Sequence, residues 1–287
     1  MSESSPLIVI NNITYAYPNG TQALKNVSLN INAGELIGIM GSNGAGKTTL
    51  IRTLNGLIQP QSGSIFINNE NIQSKTIAEI SKSVGIVFQN PEHQLFSNTV
   101  RDEIKFSLKN IFDKEELLET KIEDTLKMFH FEQFKEKAPL NLSGGQKKKL
   151  ALASIVCRDP SILIFDEPTL GQDEKEIDFL IALLRKETQN NKTIIIVTHN
   201  IEFAYQYIPR VILMSKGRLL ADGPTTKVLS NEQLIKKASL ILPQLTQLKA
   251  SLRAIGLEIP DALHTQEAVR DFLIKFFESR SHKGGLS

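Results

Sequence analysis

Four short apolar runs punctuate the first two hundred residues: ELIGIM (35–40), VGIVF (84–88), SILIF (161–165) and TIIIV (193–197). Each is unbroken and rich in isoleucine and valine instead of alternating with polar residues, which predicts strands covered on both faces, as in a parallel sheet. Helix-like segments lie between them, so the chain reads as α/β. Residues 99–137 read as helices, with leucine, isoleucine and methionine at three-to-four spacing in EELLETKIEDTLKMF, and imply a helical insertion. ADGPTTKV (221–228) is the nearest thing to a linker. Beyond residue 230, Pro243 opens a stretch with Leu245, Leu248, Leu252 and Ile255 on one face, ending at Gly256 as a helix C′ residue should. A second stretch sets Val269, Phe272, Leu273 and Phe276 on one face. These two helices either pack on their own chain or pair with a partner subunit.

Every apolar run gives way to polar residues. ELIGIM leads into GSNGAGKTT, VGIVF into Gln89, SILIF into Asp166 and Glu167, and TIIIV into Thr198 and His199. Ligands of open α/β sheets bind outside the carboxyl ends of the strands, so the four endings are expected to line one site. Residues 41–48 fit G-x-x-x-x-G-K-[ST] between a strand and the helix-like TTLIRTLNG. In such a loop, Gly41, Ser42, Asn43, Gly44, Ala45 and Gly46 turn backbone N–H groups around a β-phosphate at a helix N-terminus. Lys47 adds a cation for the β- and γ-phosphates, and Thr48 with its neighbour Thr49 opens the helix, Thr48 giving an oxygen to Mg²⁺. Adjacent strand residues point to opposite faces, so the two carboxylates are expected to divide the work: Asp166 in the Mg²⁺ shell, Glu167 as general base towards the attacking water.

A second glycine loop, NLSGGQKKKL (141–150), is harder to place. Ser143 and Gln146 form the pattern of a capping box. That leaves Gly144 and Gly145 in a first helical turn, at roughly 1 kcal/mol each against alanine. It also leaves Lys147, Lys148 and Lys149 opposing the helix dipole unless an anion lies close. An anion brought by a second chain is the expectation: two chains head to tail, each nucleotide held by the P-loop of one and the SGGQ of the other.

Bulk properties narrow the field only a little. Lysine and arginine number 33 against 31 acidic residues, a net charge of +2 that does not advertise nucleic-acid binding. The single cysteine, Cys157, sits in LALASIVC and reads as a buried side chain in a reducing compartment. The opening MSESSPLIV lacks a basic region and a long apolar core, and no apolar run approaches the ~20 residues that span a bilayer, so a soluble chain is expected.

P-loop and LSGGQ together, over residues 7 to about 229, make the chain strongly similar to the ATPase subunit of ATP-binding cassette (ABC) transporters. The resemblance implies a P-loop ATPase core (1–229) with a helical subdomain at about 90–157, ATP and Mg²⁺ as ligands, and a place on the cytoplasmic face of the membrane. By it, Tyr17 in ITYAYP resembles the aromatic that stacks on adenine, with Tyr15 the alternative and a core tyrosine the plainer explanation. Gln89 resembles the residue linking Mg²⁺ and the lytic water to the membrane subunit, His199 the γ-phosphate switch, and Asp173 the aspartate of the loop crossing the dimer boundary. Leu170 and Gln172 stand where relatives often carry alanine and leucine, and Lys148 and Lys149 where arginine is frequent. VFQNPEHQLF (87–96) and the tail LILPQLTQLKASLRAIGLEIPDAL are similar to energy-coupling factor transporters, which import B vitamins or cobalt and nickel ions. That implies a second ATPase, identical or not, a shared transmembrane coupling subunit with a small substrate-binding membrane protein, and a tail (230–287) that holds the dimer. A soluble ABC ATPase of DNA repair or translation is the rival; a small-molecule kinase would leave SGGQ unexplained.

Overall fold

The computed structural model describes residues 6–90, 94–109, 111–112, 114–260 and 262–281. Among these, ten strands run in chain order: β1 (Ile8–Ala16), β2 (Gln22–Ile31), β3 (Leu36–Met40), β4 (Ser62–Ile67), β5 (Glu70–Asn71), β6 (Val84–Val87), β7 (Ile162–Asp166), β8 (Thr193–Thr198), β9 (Arg210–Ser215) and β10 (Arg218–Pro224). They form two sheets. One is antiparallel in the order β2-β1-β4-β5; the other runs β10-β9-β3-β8-β7-β6 and is parallel except for β10. The four apolar runs are thus β3, β8, β7 and β6, neighbours in the parallel sheet, and all of β6, β7 and β8 is buried as their unbroken pattern requires.

The helices are α1 (Lys47–Leu54), α2 (Ile77–Ile80), α3 (Val100–Leu108), α4 (Glu115–Met128), α5 (Gly144–Val156), α6 (Glu174–Gln189), α7 (Ile201–Tyr207), α8 (Thr225–Leu229), α9 (Glu232–Lys237), α10 (Gln244–Ala254) and α11 (Gln266–Ser281). Between the two sheets lies one core, with Ile8, Leu24, Ile37, Leu50 and Ile164 fully buried. The other face of the parallel sheet packs against α3 to α6 through Ile104, Leu126, Phe129, Leu150 and Phe165. Arg101 of α3 bridges Glu119 and Glu123 of α4, tying the inserted helices together.

One expectation needs correction. The stretch ADGPTTKV is no linker: Ala221 to Pro224 pair with β9 as an edge strand, where a terminal proline breaks no ladder bond, and Thr225 to Val228 begin α8. Its glycine and proline mark the end of a strand. The tail helices pack on their own chain and still leave apolar residues exposed. Leu245 and Val269 are buried in the same cluster as Phe203 and Ile208, while Leu248, Ile274 and Phe277 remain 42%, 49% and 57% exposed. Cys157 is buried and its thiol is pushed up to about 12 by that burial, the state of an inert packing residue.

Candidate functional site

The ends of β3, β6, β7 and β8 meet at one cleft. It is lined by Tyr17, by residues 43–49 of the P-loop and α1, and by Gln89, Asp166, Glu167 and His199. Gly46, the N-cap of α1, adopts φ 102°, and a β-carbon there would press on the Ala23 carbonyl, so the turn demands glycine. No side chain caps α1, which leaves its first-turn amides for an anion. Lys47 is buried, and its Nζ donates to the carbonyls of Gly41 at 2.7 Å and Ser42 at 3.1 Å. Burial lowers its pKa, against the opposing pull of Glu167 and Asp166.

Strand alternation does not separate the two carboxylates, because β7 stops at Asp166. Glu167 leaves the strand with φ 51°, a left-handed conformation that costs a non-glycine residue of order 1 kcal/mol or more and concentrates at functional sites. Both carboxylates therefore line the same cleft. Burial, with the neighbouring Glu167 charge, raises the Asp166 carboxyl to about 6, while Lys47 and Arg52 pull it down. Glu167 Oε2 accepts from the Thr198 hydroxyl at 3.2 Å and the His199 amide at 3.4 Å, and its Oε1 lies 2.7 Å from His199 Nδ1. Thr198, read in the sequence only as a strand ending, is the last residue of β8 and positions Glu167 through its hydroxyl without lining the cleft itself.

The donor set suits a divalent cation held together with phosphates. Thr48, Gln89 and Asp166 offer three oxygens, one of them anionic, in a single cleft. Among the described residues, no cluster of histidine, cysteine, aspartate and glutamate could hold a metal by itself. Tyr17 lines the cleft and shares a 3.0 Å hydrogen bond between its hydroxyl and that of Thr49. Tyr15 packs against the core and meets the Tyr17 ring edge-on at 5.1 Å.

Ser143, Gly144, Gly145, Gln146 and Asp173 do not line this cleft. The capping box is as expected: Gln146 N donates to Ser143 Oγ at 3.2 Å and Ser143 N to Gln146 Oε1 at 3.0 Å. Asp173 caps α6 in the same way with Glu176 and faces a second recess, between α5 and α6, that also reaches Gln89, Asp166 and Glu167. The expected external anion for the lysines is in part already supplied. Lys148 donates to the Leu170 carbonyl, Lys149 sits 4.4 Å from the centre of the Phe179 ring, and Glu176 is the chief charge opposing the burial that lowers both their pKa values. Lys147 too has an interaction of its own. Gly145 is likewise explained inside the chain, since a β-carbon there would overlap the Glu176 carboxylate; at Gly144 it would meet nothing within 4 Å. Ser143 and Gly144, both exposed, are what the chain's own packing leaves unexplained.

Known proteins share much of this chain. The ABC transporter family profile matches residues 24–170. The energy-coupling factor transporter ATP-binding protein EcfA2 of Acetivibrio thermocellus is 38% identical over 94% of this chain and 98% of its own length. An ABC transporter ATP-binding protein of Methanosarcina acetivorans is 37% identical over 93% of this chain, which spans only 44% of that longer protein. The structure of cbiO1 from Clostridium perfringens, part of the ABC transporter complex cbiONQ, superposes with a TM-score of 0.73 at 35% identity, covering 85% of this chain and 99% of that one.

Proposed function

The chain belongs to the ATP-binding proteins of ABC transporters, in their energy-coupling factor group, and we propose on that premise how it works as the ATP-hydrolysing motor of an importer. Two ATPase subunits, identical or not, bury two ATP molecules between them, each held by the P-loop of one and the SGGQ turn of the other. One observation carries this most: the cleft gathers P-loop, carboxylates and His199 but none of residues 143–146, and Ser143 and Gly144 stand exposed outside it.

Within the cleft, Lys47 and the first-turn amides of α1 bind the β- and γ-phosphates, and the Tyr17 ring takes the adenine. Glu167 accepts the proton of a water as its oxygen attacks the γ-phosphorus and the bond to the β–γ bridging oxygen breaks. Thr198 and His199 hold that carboxylate in place. A Mg²⁺ held by Thr48, Gln89 and Asp166 neutralises phosphate charge when bound. Asp173 meets the partner at the boundary.

The transmembrane coupling subunit docks beside Gln89. Phe96 and Phe106 are 65% and 52% exposed and pack edge-on at 4.7 Å, an aromatic patch of the kind that marks an interaction surface. Residues 91–93 of the VFQNPEHQLF stretch lie outside the described residues. No helix among the described residues is long and apolar enough to cross a membrane. The motor sits peripherally on the cytoplasmic face, held there by its membrane partners. Residues 1–229 form the nucleotide-binding domain; the exposed stripe of Leu248, Ile274 and Phe277 in residues 230–287 holds the second ATPase. The cargo is a vitamin or a transition-metal ion carried by a small substrate-binding membrane protein.

Phe96→Asp with Phe106→Asp tests the docking. The doubly substituted chain is expected to bind ATP normally and to lose most co-purification with the membrane subunits, because two charges in an apolar contact must be desolvated unpaired. Undiminished co-purification contradicts the assignment.

A further inference from the structure

One carboxylate fastens two motifs. Glu176, at the third position of α6, accepts from Asp173 N at 3.1 Å through Oε2, while Glu176 N donates to Asp173 Oδ1 at 2.9 Å. The same side chain lies so close to the first turn of α5 that a β-carbon at 145 would overlap its carboxylate and force it to move. From the α5 side, Lys148 donates to the Leu170 carbonyl and Lys149 covers the Phe179 ring of α6. Leu170 N in turn donates to the Glu167 carbonyl at 3.3 Å, and Gln172 N to the Thr169 carbonyl at 3.3 Å. A continuous set of contacts thus runs from the SGGQ turn, through Glu176 and the 170–173 loop, to the backbone carbonyl of Glu167, the residue whose carboxylate lines the chain's own cleft.

The electrostatics favour this placement of an acid. Glu176 stands at the positive ends of two helices at once, α5 and α6, and beside two half-buried lysines that the α5 dipole alone would repel. A neutral residue there would leave those two cations without the charge that offsets their burial.

We propose that Glu176 is a positioning residue that joins the SGGQ turn and the 170–173 loop into one rigid unit, so that engagement of the partner's nucleotide by SGGQ sets Glu167 in the chain's own site. The proposal rests on the reading that SGGQ serves the partner's ATP.

A double-mutant cycle separates the two. Gly145→Ala, Glu176→Ala and the pair are made in the full chain, together with its partner ATPase if the two differ, and ATP-driven association is followed by light scattering in a Glu167→Gln background. Gly145→Ala is expected to raise the concentration for half-association about ten-fold when Glu176 is present, the scale of overpacking a tight contact. With Glu176 already alanine, the same change is expected to cost about two-fold or less, since contacting residues couple. ATP affinity of the separated chain, read by calorimetry, stays unchanged in all variants. An equal cost in both backgrounds overturns the proposal, and leaves the shared-nucleotide reading standing, since that reading fails only if changes at Ser143 spare the partner's site.

Should Gly145→Ala not fold, Glu176→Gln with Glu167 intact decides. Glutamine keeps the cap but not the charge, so kcat is expected to fall with KM for ATP unchanged and with the melting temperature retained. An unaltered kcat overturns the proposal.

Discussion

Glu167→Gln is expected to bind ATP, to close the dimer and then to stall, with turnover down by roughly 10²- to 10⁴-fold, the usual contribution of a general base. Glutamine fills the same volume and keeps an acceptor oxygen for the Thr198 hydroxyl that now donates to Oε2 at 3.2 Å. The left-handed backbone at φ 51° is as strained for glutamine as for glutamate, so the fold changes little. What disappears is the ability to take a proton from water. In the proposed cycle hydrolysis reopens the dimer, so the ATP-bound pair is expected to accumulate. Light scattering in ATP reads this directly; a persistent monomer contradicts it, and near-normal turnover removes Glu167 as the base.

Lys47→Ala is expected to lose about 100-fold or more in ATP affinity, since hydrogen bonds to charged groups each contribute roughly 1.5–3 kcal/mol and lysine also supplies charge. The loss reaches beyond one ion pair. Lys47 is the buried cation whose charge opposes those of Asp166 and Glu167, and it draws down a carboxyl that burial has raised to about 6. Without it the two acids face each other less compensated, and an incoming triphosphate meets a more negative cleft. Calorimetry checks the affinity; unchanged binding would mean that the P-loop is not the nucleotide site.

The site was more legible than the fold around it. Glycine spacing, the lysine and the polar ends of four apolar runs are local features, and local features survive in a sequence. Their convergence arose because β3, β8, β7 and β6 are adjacent and parallel. The antiparallel sheet went unread: β1 carries register shifts after Ile10 and Ile13, and Asn12 has φ 48°, so its alternation breaks midway. Glu167 misleads because it lies one residue past the end of its strand, where alternation no longer applies. The lysines mislead for a different reason. Their partner Glu176 is distant along the chain and becomes visible only when α5 and α6 are packed, although D-E-K-E at 173–176 carries the local mark of a capped helix start.

The central claim is that each ATP is completed by residues of two chains. Its most direct test is Ser143→Arg placed in this subunit alone within the assembled pair, with each nucleotide located by photo-crosslinking an azido-ATP analogue to its P-loop. The nucleotide on the other subunit's P-loop is expected to escape trapping, while the one on this chain's own P-loop is trapped normally. A defect confined to this chain's own P-loop would contradict the claim.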